Sequence, residues 1–210
     1  VELLHVSCGT VVGEDNKPYK TRSGSAVGLM GLLDEAVERA YAIAEKSRVL
    51  ETDAERRTVA ERIGIGAIKY ADLAHNRTSD YVFSYDKMLA MSGNTAAYMQ
   101  YSFARVSGIF RKGNIDPAAL RASGATIVLD HPAERALGLE LLRLSEALDR
   151  VAAEYKPNHL TSYLFDLAQR YSEFFEQCPV LKADDGKPEA VIVTTSYVKQ
   201  PRDTARPVVF

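Results

Sequence analysis

The stretch NHLTSYLFDLAQRYSEFFEQ, residues 158–177, decides the fold class of this chain. Its large apolar side chains recur every three or four residues, which is the spacing of one face of an α-helix. A helix of this kind gains most of its stability by burying that face against neighbouring helices. The stretch therefore predicts a long helix in a helical bundle. The residues on the predicted buried face are Leu160, Tyr163, Leu164, Leu167, Ala168, Tyr171, Phe174 and Phe175.

Four stretches before it have the same spacing and are predicted to be helices as well. They cover residues 132–155, the segment from Thr95 to Lys112, residues 53–74, and a segment that begins near Leu29. The second half of the chain is then a helical bundle, and the predicted fold class is mainly α. The apolar positions behind these predictions are Leu137, Leu141, Leu144, Leu148 and Val151; Tyr98, Tyr101, Ile109 and Phe110; Val59, Ile63, Ala67, Ile68 and Ala71; and Leu29, Leu33, Ala36, Val37, Ala40, Ile43 and Ala44.

The remaining segments favour short extended pieces. Residues 1–13 predict one or two short strands that end at a turn. Residues 76–86 begin with polar turn residues and continue with alternating aromatic residues, as a short strand would. Residues 190–198, AVIVTTSYV, are rich in β-branched side chains and also predict a strand, although the sequence indicates no partner for it.

Charge balance and residue spacing exclude several classes of protein. The chain has 26 Lys and Arg against 28 Asp and Glu, so a polyanion could bind only at a local cluster of cations. No apolar run reaches membrane-spanning length and no charged-then-apolar leader is found, so we expect no membrane partner. Cys8 and Cys178 form no CxxC pair and the four histidines have no ligand spacing. We therefore expect no metal site and a reduced, cytoplasmic setting.

A cation-rich loop, NKPYKTRSGS at residues 16–25, precedes the first predicted helix. Lys20 and Arg22 carry positive charge, and Thr21 and Ser23 carry hydroxyl donors. Glycine lets the main chain approach a ligand closely, and the N-terminus of the following helix favours anions. These features suit a clamp on phosphate groups, in which each charge-assisted hydrogen bond contributes roughly 1.5–3 kcal/mol. Composition alone favours a solvated, cation-rich turn without a ligand over such a clamp.

Three longer stretches resemble one family of enzymes, in the same order along the chain. GEDNKPYKTRSGSAVGLMGLLDEAVERA, residues 13–40, is similar to the segment around the KMSKS-type signature of bacterial arginyl-tRNA synthetases. IGIGAIKYADLAHNRTSDYVFSYDKMLAMSGNTAAYMQYSFARV, residues 63–106, resembles the block that follows in that family. YLFDLAQRYSEFFEQCPVL, residues 163–181, resembles a late helix of the family's anticodon-binding domain. The resemblance covers about residues 5–183 and is far more specific than any five-residue motif.

The resemblance implies a C-terminal fragment of a class I aminoacyl-tRNA synthetase. Residues 1–90 are expected to form the C-terminal end of an α/β catalytic domain with the KMSKS-like loop and connecting helices. Residues 91–183 are expected to form a helical anticodon-binding domain, and residues 184–210 a divergent tail. The family's HIGH motif and arginine pocket lie upstream of this loop, so we expect no aminoacylation by this chain alone.

The resemblance also implies substrates and partners. Members of the family attach arginine to tRNA-Arg with ATP, for which Mg²⁺ is expected, and their KMSKS loop stabilises the reacting triphosphate. By analogy Lys20, Thr21, Arg22 and Ser23 bind ATP, with Lys20 and Arg22 in catalytic roles. Which cation replaces the second lysine of KMSKS stays open. ATP and arginine are expected to contact the missing N-terminal part, and the enzyme is expected to be a cytoplasmic monomer.

Candidate tRNA-binding residues lie mostly at the start of the helix predicted from Thr95. Aromatic rings, amides and a guanidinium suit single-stranded RNA, whose bases stack on aromatic side chains and are read along their edges. Tyr98 and Tyr101 equally suit a buried core, and for Asn76 and Arg77 a structural hydrogen-bond network is favoured over a contact with tRNA. The candidates are Asn76, Arg77, Asn94, Tyr98, Gln100, Tyr101 and Arg105.

Two other classes of protein remain open. One is a stand-alone helical tRNA-binding module without catalysis, and the other is a helical protein-interaction domain whose loop only resembles an ATP clamp. The KTRSG loop ahead of a helix favours the synthetase, because a module that only binds RNA has no use for a triphosphate clamp.

Overall fold

The fold is mainly helical over the residues that can be described. A computed structural model of the protein describes residues 3–13, 17, 28–47, 49–124, 127–178 and 180–182. In chain order its elements are β1 (Val11–Val12), α1 (Leu29–Ala44), α2 (Asp53–Ala74), β2 (Tyr81–Val82), α3 (Tyr85–Met88), α4 (Ala96–Lys112), α5 (Pro117–Ala122), α6 (Pro132–Leu142), α7 (Leu144–Glu154), α8 (Asn158–Gln177) and a 3₁₀ turn (Val180–Lys182).

The chain divides into two compact units that are not continuous in sequence. The first unit consists of Val1–Tyr98 together with Arg150–Ser162. The second consists of Met99–Asp149 together with Tyr163–Phe210. The end of α7, the turn after it and the start of α8 therefore belong to the first unit.

In the first unit, α1 and α2 pack closely because small residues line both helices. A β-carbon placed on Gly64 would lie 2.7 Å from the main chain at Ala36, so this contact leaves no space for a side chain. Leu29 and Ile43, which were predicted on the buried face of α1, are exposed, and that part of the prediction is wrong. The alanines predicted on the same face are buried, because only small side chains allow such a close approach. The buried small residues are Ala36, Ala40 and Ala44 on α1 and Ala60, Gly64, Ala67 and Ala71 on α2.

A capping box fixes the start of α2. Thr52 Oγ1 accepts the main-chain N–H of Glu55 at 3.2 Å, and Glu55 Oε2 accepts the N–H of Thr52 at 3.0 Å. The first N–H groups of a helix have no partner within the helix, so both bonds stabilise this end. Tyr41 of α1 donates its hydroxyl hydrogen to the carboxylate of Asp53 in the first turn of α2. The predicted bounds of this helix are confirmed.

β1 and β2 form a parallel pair in which Val11 lies opposite Tyr81. Parallel pairing is typical of α/β domains. The segment before β1 follows the residues before β2 closely, since the Gly9 N–H donates to the Arg77 carbonyl at 2.6 Å. The strand prediction within residues 1–13 is thus confirmed at β1. A buried cluster beside the pair contains Ala67, Ala71, Phe83 and Met88.

Every regular element that the structure describes in the second unit is a helix, but one predicted helix is broken. The stretch 132–155 forms α6 and α7, which are separated at Arg143. Leu144 and Leu148 are 36% and 47% exposed instead of buried, and Ala147 is buried in α7. The prediction of one continuous helix with one leucine stripe is wrong at this point.

The other long helices agree with the sequence. The predictions for α4 and α8 are confirmed, as is the mainly α fold class. The predicted strand at 190–198 lies outside the described residues. Among the helices that the structure describes, none combines the length and the apolar character needed to cross a membrane.

Candidate nucleic-acid interface

The predicted ATP-binding residues Lys20, Thr21, Arg22 and Ser23 lie outside the described residues. The structure does describe both ends of their loop, which leaves β1 and enters α1. The first turn of α1 contains no acidic residue. Its N-cap residue is Gly28, which has no side chain to cap the helix. The partial positive charge of this helix N-terminus is therefore not offset by a carboxylate of its own first turn.

Arg77 is engaged with main-chain carbonyls. Its Nε donates to the carbonyl of Tyr155 at 2.6 Å and its Nη2 to that of Glu154 at 3.3 Å, while Nη1 donates to the carbonyl of Ser7. The side chain is half-buried. This geometry matches the structural alternative for Arg77, and a contact with tRNA stays a prediction.

Asn76 forms a local turn. Its Oδ1 accepts the hydroxyl hydrogen of Thr78 at 2.9 Å and the N–H of Thr78 at 3.3 Å. Such Asx turns stabilise the main chain where a helix has ended. Asn76 itself is exposed, so the amide is accessible from solvent.

Asn94 takes part in a buried hydrogen-bond network. Its Oδ1 accepts the hydroxyl hydrogen of Tyr70 at 2.7 Å, and the same hydroxyl lies 3.2 Å from the carbonyl of Thr161. Burial raises the pKa of the Tyr70 hydroxyl, so the group stays a hydrogen-bond donor. Asn94 is thus bound by Tyr70 of α2, whose hydroxyl also lies beside the start of α8, all within the first unit.

The start of α4 presents the remaining candidates at different depths. Thr95 Oγ1 accepts the N–H of Tyr98 at 3.2 Å, which caps the helix. Tyr98 and Gln100 are half-buried, whereas Tyr101 is 47% exposed. Tyr101 is therefore the tyrosine of this helix whose ring is available for stacking.

In the second unit, Arg105 lies within a cluster of aromatic rings from α4 and α8. Its guanidinium carbon is 4.0 Å from the ring centre of Phe175, 5.5 Å from that of Tyr101 and 5.7 Å from that of Tyr171. These distances are in the range of cation–π attraction. A hydrogen bond of 3.1 Å from Nη1 to Ser172 Oγ fixes the guanidinium further.

Part of the cluster is buried and part is exposed to solvent. Tyr171 is buried, which raises the pKa of its hydroxyl to about 12. Phe175 is 38% exposed, although the sequence predicted it on the buried face. The cluster therefore presents two partly exposed rings, those of Tyr101 and Phe175, next to a fixed cation.

Sequence reasoning found part of this cluster. Tyr101 and Arg105 were candidates, and the structure brings them together. Ser172 and Phe175 were missed as site residues, although they follow Tyr171 on α8 at positions that a helix places beside the same neighbour. Asn76, Arg77, Asn94 and Tyr98 belong to the first unit, whereas Gln100, Tyr101 and Arg105 belong to the second.

Two protein families match the chain in succession. Residues 1–85 match the family described as tRNA synthetases class I (R), catalytic domain. Residues 99–200 match the family described as DALR anticodon binding domain. A class I catalytic region followed by an anticodon-binding region defines the class of this protein as the class I tRNA synthetases.

Individual relatives narrow the class. The chain is 49% identical over 183 residues to an arginine–tRNA ligase of Thermobifida fusca, covering 87% of this chain and 31% of that protein. It is 49% identical over 189 residues to the arginine–tRNA ligase of Synechococcus elongatus, covering 88% of this chain and 32% of that protein. The chain belongs to the arginyl-tRNA synthetase family, and it spans about a third of the length of these curated relatives.

Solved structures agree with these relatives. The arginyl-tRNA synthetase of Thermus thermophilus superposes with a TM-score of 0.74 at 30% identity, over 90% of this chain and 31% of that one. The arginyl-tRNA synthetase of Plasmodium falciparum gives a TM-score of 0.71 at 29% identity, over 82% of this chain and 31% of that one. The second family match reaches residue 200, beyond residue 183, where the resemblance was expected to end. The division into residues 1–90, 91–183 and 184–210 stays a prediction.

Proposed function

We propose that this chain contributes the triphosphate-facing loop and the anticodon-reading helices of an arginine–tRNA ligase, which joins arginine to tRNA-Arg at the expense of ATP. The observation that carries the proposal is the order of the two family matches, residues 1–85 and then 99–200, on one chain. Relatives that are 49% identical over 87% of the chain are arginine–tRNA ligases. Because the chain spans 31% of that relative, we expect ATP and arginine to bind jointly with the rest of the enzyme.

Within this function, Lys20 and Arg22 stabilise the triphosphate as pyrophosphate leaves, and Thr21 and Ser23 bind ATP through their hydroxyls. The support is electrostatic. Negative charge develops on the leaving pyrophosphate, and fixed cations oppose it; Mg²⁺, where bound, would supply further positive charge at the phosphates. The described ends of the loop agree with this role, since α1 offers an N-terminus without an acidic side chain in its first turn.

ATP–pyrophosphate exchange in the ligase assembled with its N-terminal part tests the loop. We expect Lys20→Ala and Arg22→Ala each to slow exchange by about a hundredfold, which is typical of removing one group that stabilises developing charge. Lys17→Ala is the matched control, because it removes a cation from the same loop outside the predicted ATP-binding set. Exchange that is unchanged in the first two variants would refute the loop assignment.

For RNA, the proposed surface is the pair of partly exposed rings around Arg105, namely Tyr101 and Phe175. Bases that are splayed out of an anticodon loop can stack on such rings, and each stacked base contributes about 1–3 kcal/mol. Arg105 supplies positive charge for the RNA backbone beside the rings. Asn76, Asn94, Tyr98 and Gln100 stay candidates for further contacts, whereas the guanidinium of Arg77 donates to main-chain carbonyls.

Binding of tRNA-Arg to this chain tests the RNA surface. We expect Tyr101→Ala to weaken binding by about tenfold to a hundredfold if one base stacks there. Phe103→Ala is the matched control, since Phe103 is also exposed on α4 and lies two residues further, on a different face of the helix. Equal affinity for tRNA-Arg and for the same tRNA with an exchanged anticodon would remove the anticodon assignment.

The proposal includes a cytoplasmic monomer. Its support is the family resemblance, and sedimentation equilibrium of the assembled enzyme tests the monomeric state. A stable dimer would contradict that part of the proposal and leave the ligase assignment intact.

A further inference from the structure

We infer that Arg77 is a positioning residue that fixes the turn between α7 and α8 to the segment leading into β1, and that it couples tRNA binding to the strand that carries the Lys20–Ser23 loop. The coupling rests on the proposed function. The positioning role stands on geometry within the first unit.

The guanidinium joins main-chain segments that are far apart in sequence. It donates to Ser7 on one side and to Glu154 and Tyr155 on the other. A guanidinium is planar and carries its N–H donors in a rigid fork. It can therefore meet these carbonyls together only while both segments keep their places. Because the acceptors belong to the main chain, this contact does not depend on which side chains the segments carry.

On the strand side, the contact continues through the main chain. The Gly9 N–H donates to the carbonyl of Arg77 at 2.6 Å, and the Thr10 N–H donates to Asp80 Oδ1 at 2.6 Å. A β-carbon on Gly9 would lie 2.2 Å from the carbonyl oxygen of Ser79, so the two segments have no room to slide. A displacement of the main chain at Arg77 therefore also displaces the segment that leads into β1.

On the turn side, the carbonyls are held in place by the turn itself. Tyr155 has a φ of 54°, in the left-handed region that residues other than glycine rarely adopt. Within the turn, Glu154 Oε2 lies 3.0 Å from His159 Nε2 and 3.3 Å from Lys156 Nζ. A non-glycine residue persists in this conformation when its surroundings hold it there, and such outliers are a sign of functional constraint.

The two ends of the contact fall in different family regions. Ser7 and Arg77 lie within residues 1–85, which match the catalytic domain, whereas Glu154 and Tyr155 lie within residues 99–200, which match the anticodon-binding domain. All four belong to the first compact unit. Arg77 is thus a side chain through which the two family regions are tied together, and its donors are engaged by protein rather than presented to RNA.

Amide hydrogen exchange without RNA tests the positioning role. We expect Arg77→Ala to speed exchange by about fivefold or more at both Gly9 and Leu160, the second of which lies in the first turn of α8. Arg56→Ala is the matched control, since Arg56 also donates to main-chain carbonyls, those of Leu50 at 2.8 Å and Glu51 at 3.4 Å, but within one family region. Acceleration at one site alone, or at neither, would overturn the inference.

Exchange at amides inside α2 distinguishes global destabilisation of the variant from a local effect. Exchange at Gly9 and Leu160 is read relative to exchange at Ala67, which reports on unfolding of the first unit. If Arg77→Ala speeds all these amides equally, the milder Arg77→Lys variant is measured. Equal acceleration in that variant as well counts against a local positioning role.

The coupling is tested by adding tRNA-Arg at several salt concentrations. We expect tRNA-Arg to slow exchange at Gly9 in the wild type and in Arg56→Ala, but not in Arg77→Ala. The slope of log affinity against log salt should stay the same in Arg77→Ala, whereas loss of a phosphate contact would reduce it by about one. A reduced slope, or protection of Gly9 that persists in Arg77→Ala, would overturn the coupling. If the wild type binds no tRNA-Arg, the proposed function fails, and the exchange measurements without RNA still decide the positioning role.

Discussion

At the scale of single residues, Gly64 marks the place where α1 and α2 leave no room for a side chain. A β-carbon there would lie 2.7 Å from the main chain at Ala36 and at Val37. Main-chain atoms of a helix cannot give way as the end of a flexible side chain can. We expect Gly64→Ala to lower the free energy of unfolding by about 1–3 kcal/mol, even though alanine favours helix. Denaturant unfolding followed by circular dichroism measures the change.

Gly108 provides the control for Gly64. It also lies inside a helix, α4, but a β-carbon there would meet no atom within 4 Å. Gly108→Ala should therefore raise the free energy of unfolding by about 0.5–1 kcal/mol, through helix propensity alone. A similar effect of both substitutions would show that the contact at Ala36 is not tight.

The Arg105 cluster shows how far sequence reasoning reaches at this scale. Tyr101 and Arg105 are one helical turn apart on α4, so their proximity follows from the helix period. Phe175 comes from α8, and the same period placed it in the core. Its partial exposure depends on how α8 is rotated against its neighbours, which local periodicity does not determine. The sequence favoured a structural hydrogen-bond network for Arg77, but it could not identify the partners, because main-chain acceptors leave no signature in the sequence.

At the scale of elements, the capping box of α2 makes a separate prediction. Replacing Thr52 by alanine removes the acceptor for the N–H of Glu55 and should lower the free energy of unfolding by about 1 kcal/mol. Thermal unfolding of the variant measures this loss.

Thr58→Ala is the control for the capping box. Thr58 lies in the same helix, where its hydroxyl donates to the carbonyl of Ala54 at 2.8 Å. Such a bond to the preceding turn adds little to helix stability, and alanine is the better helix former. Equal losses in the two variants would contradict the capping assignment.

The turn between α7 and α8 should respond to pH. Hydrogen bonds from His159, and then from Lys156, hold the pKa of Glu154 below its ordinary value. A carboxyl group with a lowered pKa stabilises the folded state above its unfolded pKa, and this stabilisation is lost as the pH falls through the folded pKa. We expect Glu154→Gln to lower the melting temperature near neutral pH, and the difference from wild type to vanish well below about pH 4.3.

Glu173→Gln serves as the control for this pH dependence. Glu173 pairs with Arg170 at 3.0 Å on the surface of α8, where both side chains are 48% exposed. Exposed pairs of this kind contribute little to stability. A melting-temperature difference for Glu154→Gln that persists in acid would contradict the ionic origin of the effect.

The long helices were predictable at this scale, but the interruption at Arg143 was not. α2, α4 and α8 combine a long periodic pattern with clear turn residues around them, and local preference agrees with packing there. At Arg143 neither proline nor glycine marks a break, since the neighbouring sequence is LELLRLSEAL. Arg143 instead lies within reach of Glu140 at 3.3 Å and Glu146 at 3.6 Å, which belong to the two separate helices. Both pairs are local, three residues apart in sequence, and nothing in the residues that the structure describes explains the interruption.

At the scale of the whole molecule, the first unit needs residues 150–162 to be complete. A chain that ends at residue 98 leaves Arg77 without the carbonyls of Glu154 and Tyr155, and Tyr70 without that of Thr161. We expect its first unit to be less stable than in the full chain by about 2 kcal/mol or more, because each hydrogen bond contributes about 0.5–1.5 kcal/mol and buried polar groups lose their partners. Amide exchange within α2 measures this difference.

The matched comparison is a chain that ends at residue 162, which restores these partners. Recovery of the protection in α2 would support the division into discontinuous units. Equal protection in the chain that ends at residue 98 would show that the first unit is already complete without the turn.

The discontinuity of the first unit also bears on the order of events during translation. A nascent chain leaves the ribosome from its N-terminal side, and domains generally fold as they emerge. Residues 1–98 must then wait for residues 150–162 before the unit can close. The helices within residues 99–149 therefore leave the ribosome before residues 150–162, which the first unit needs for completion. Slow codons after this turn would favour closure, whereas a pause before it would prolong the exposure of an unfinished core to chaperones and proteases.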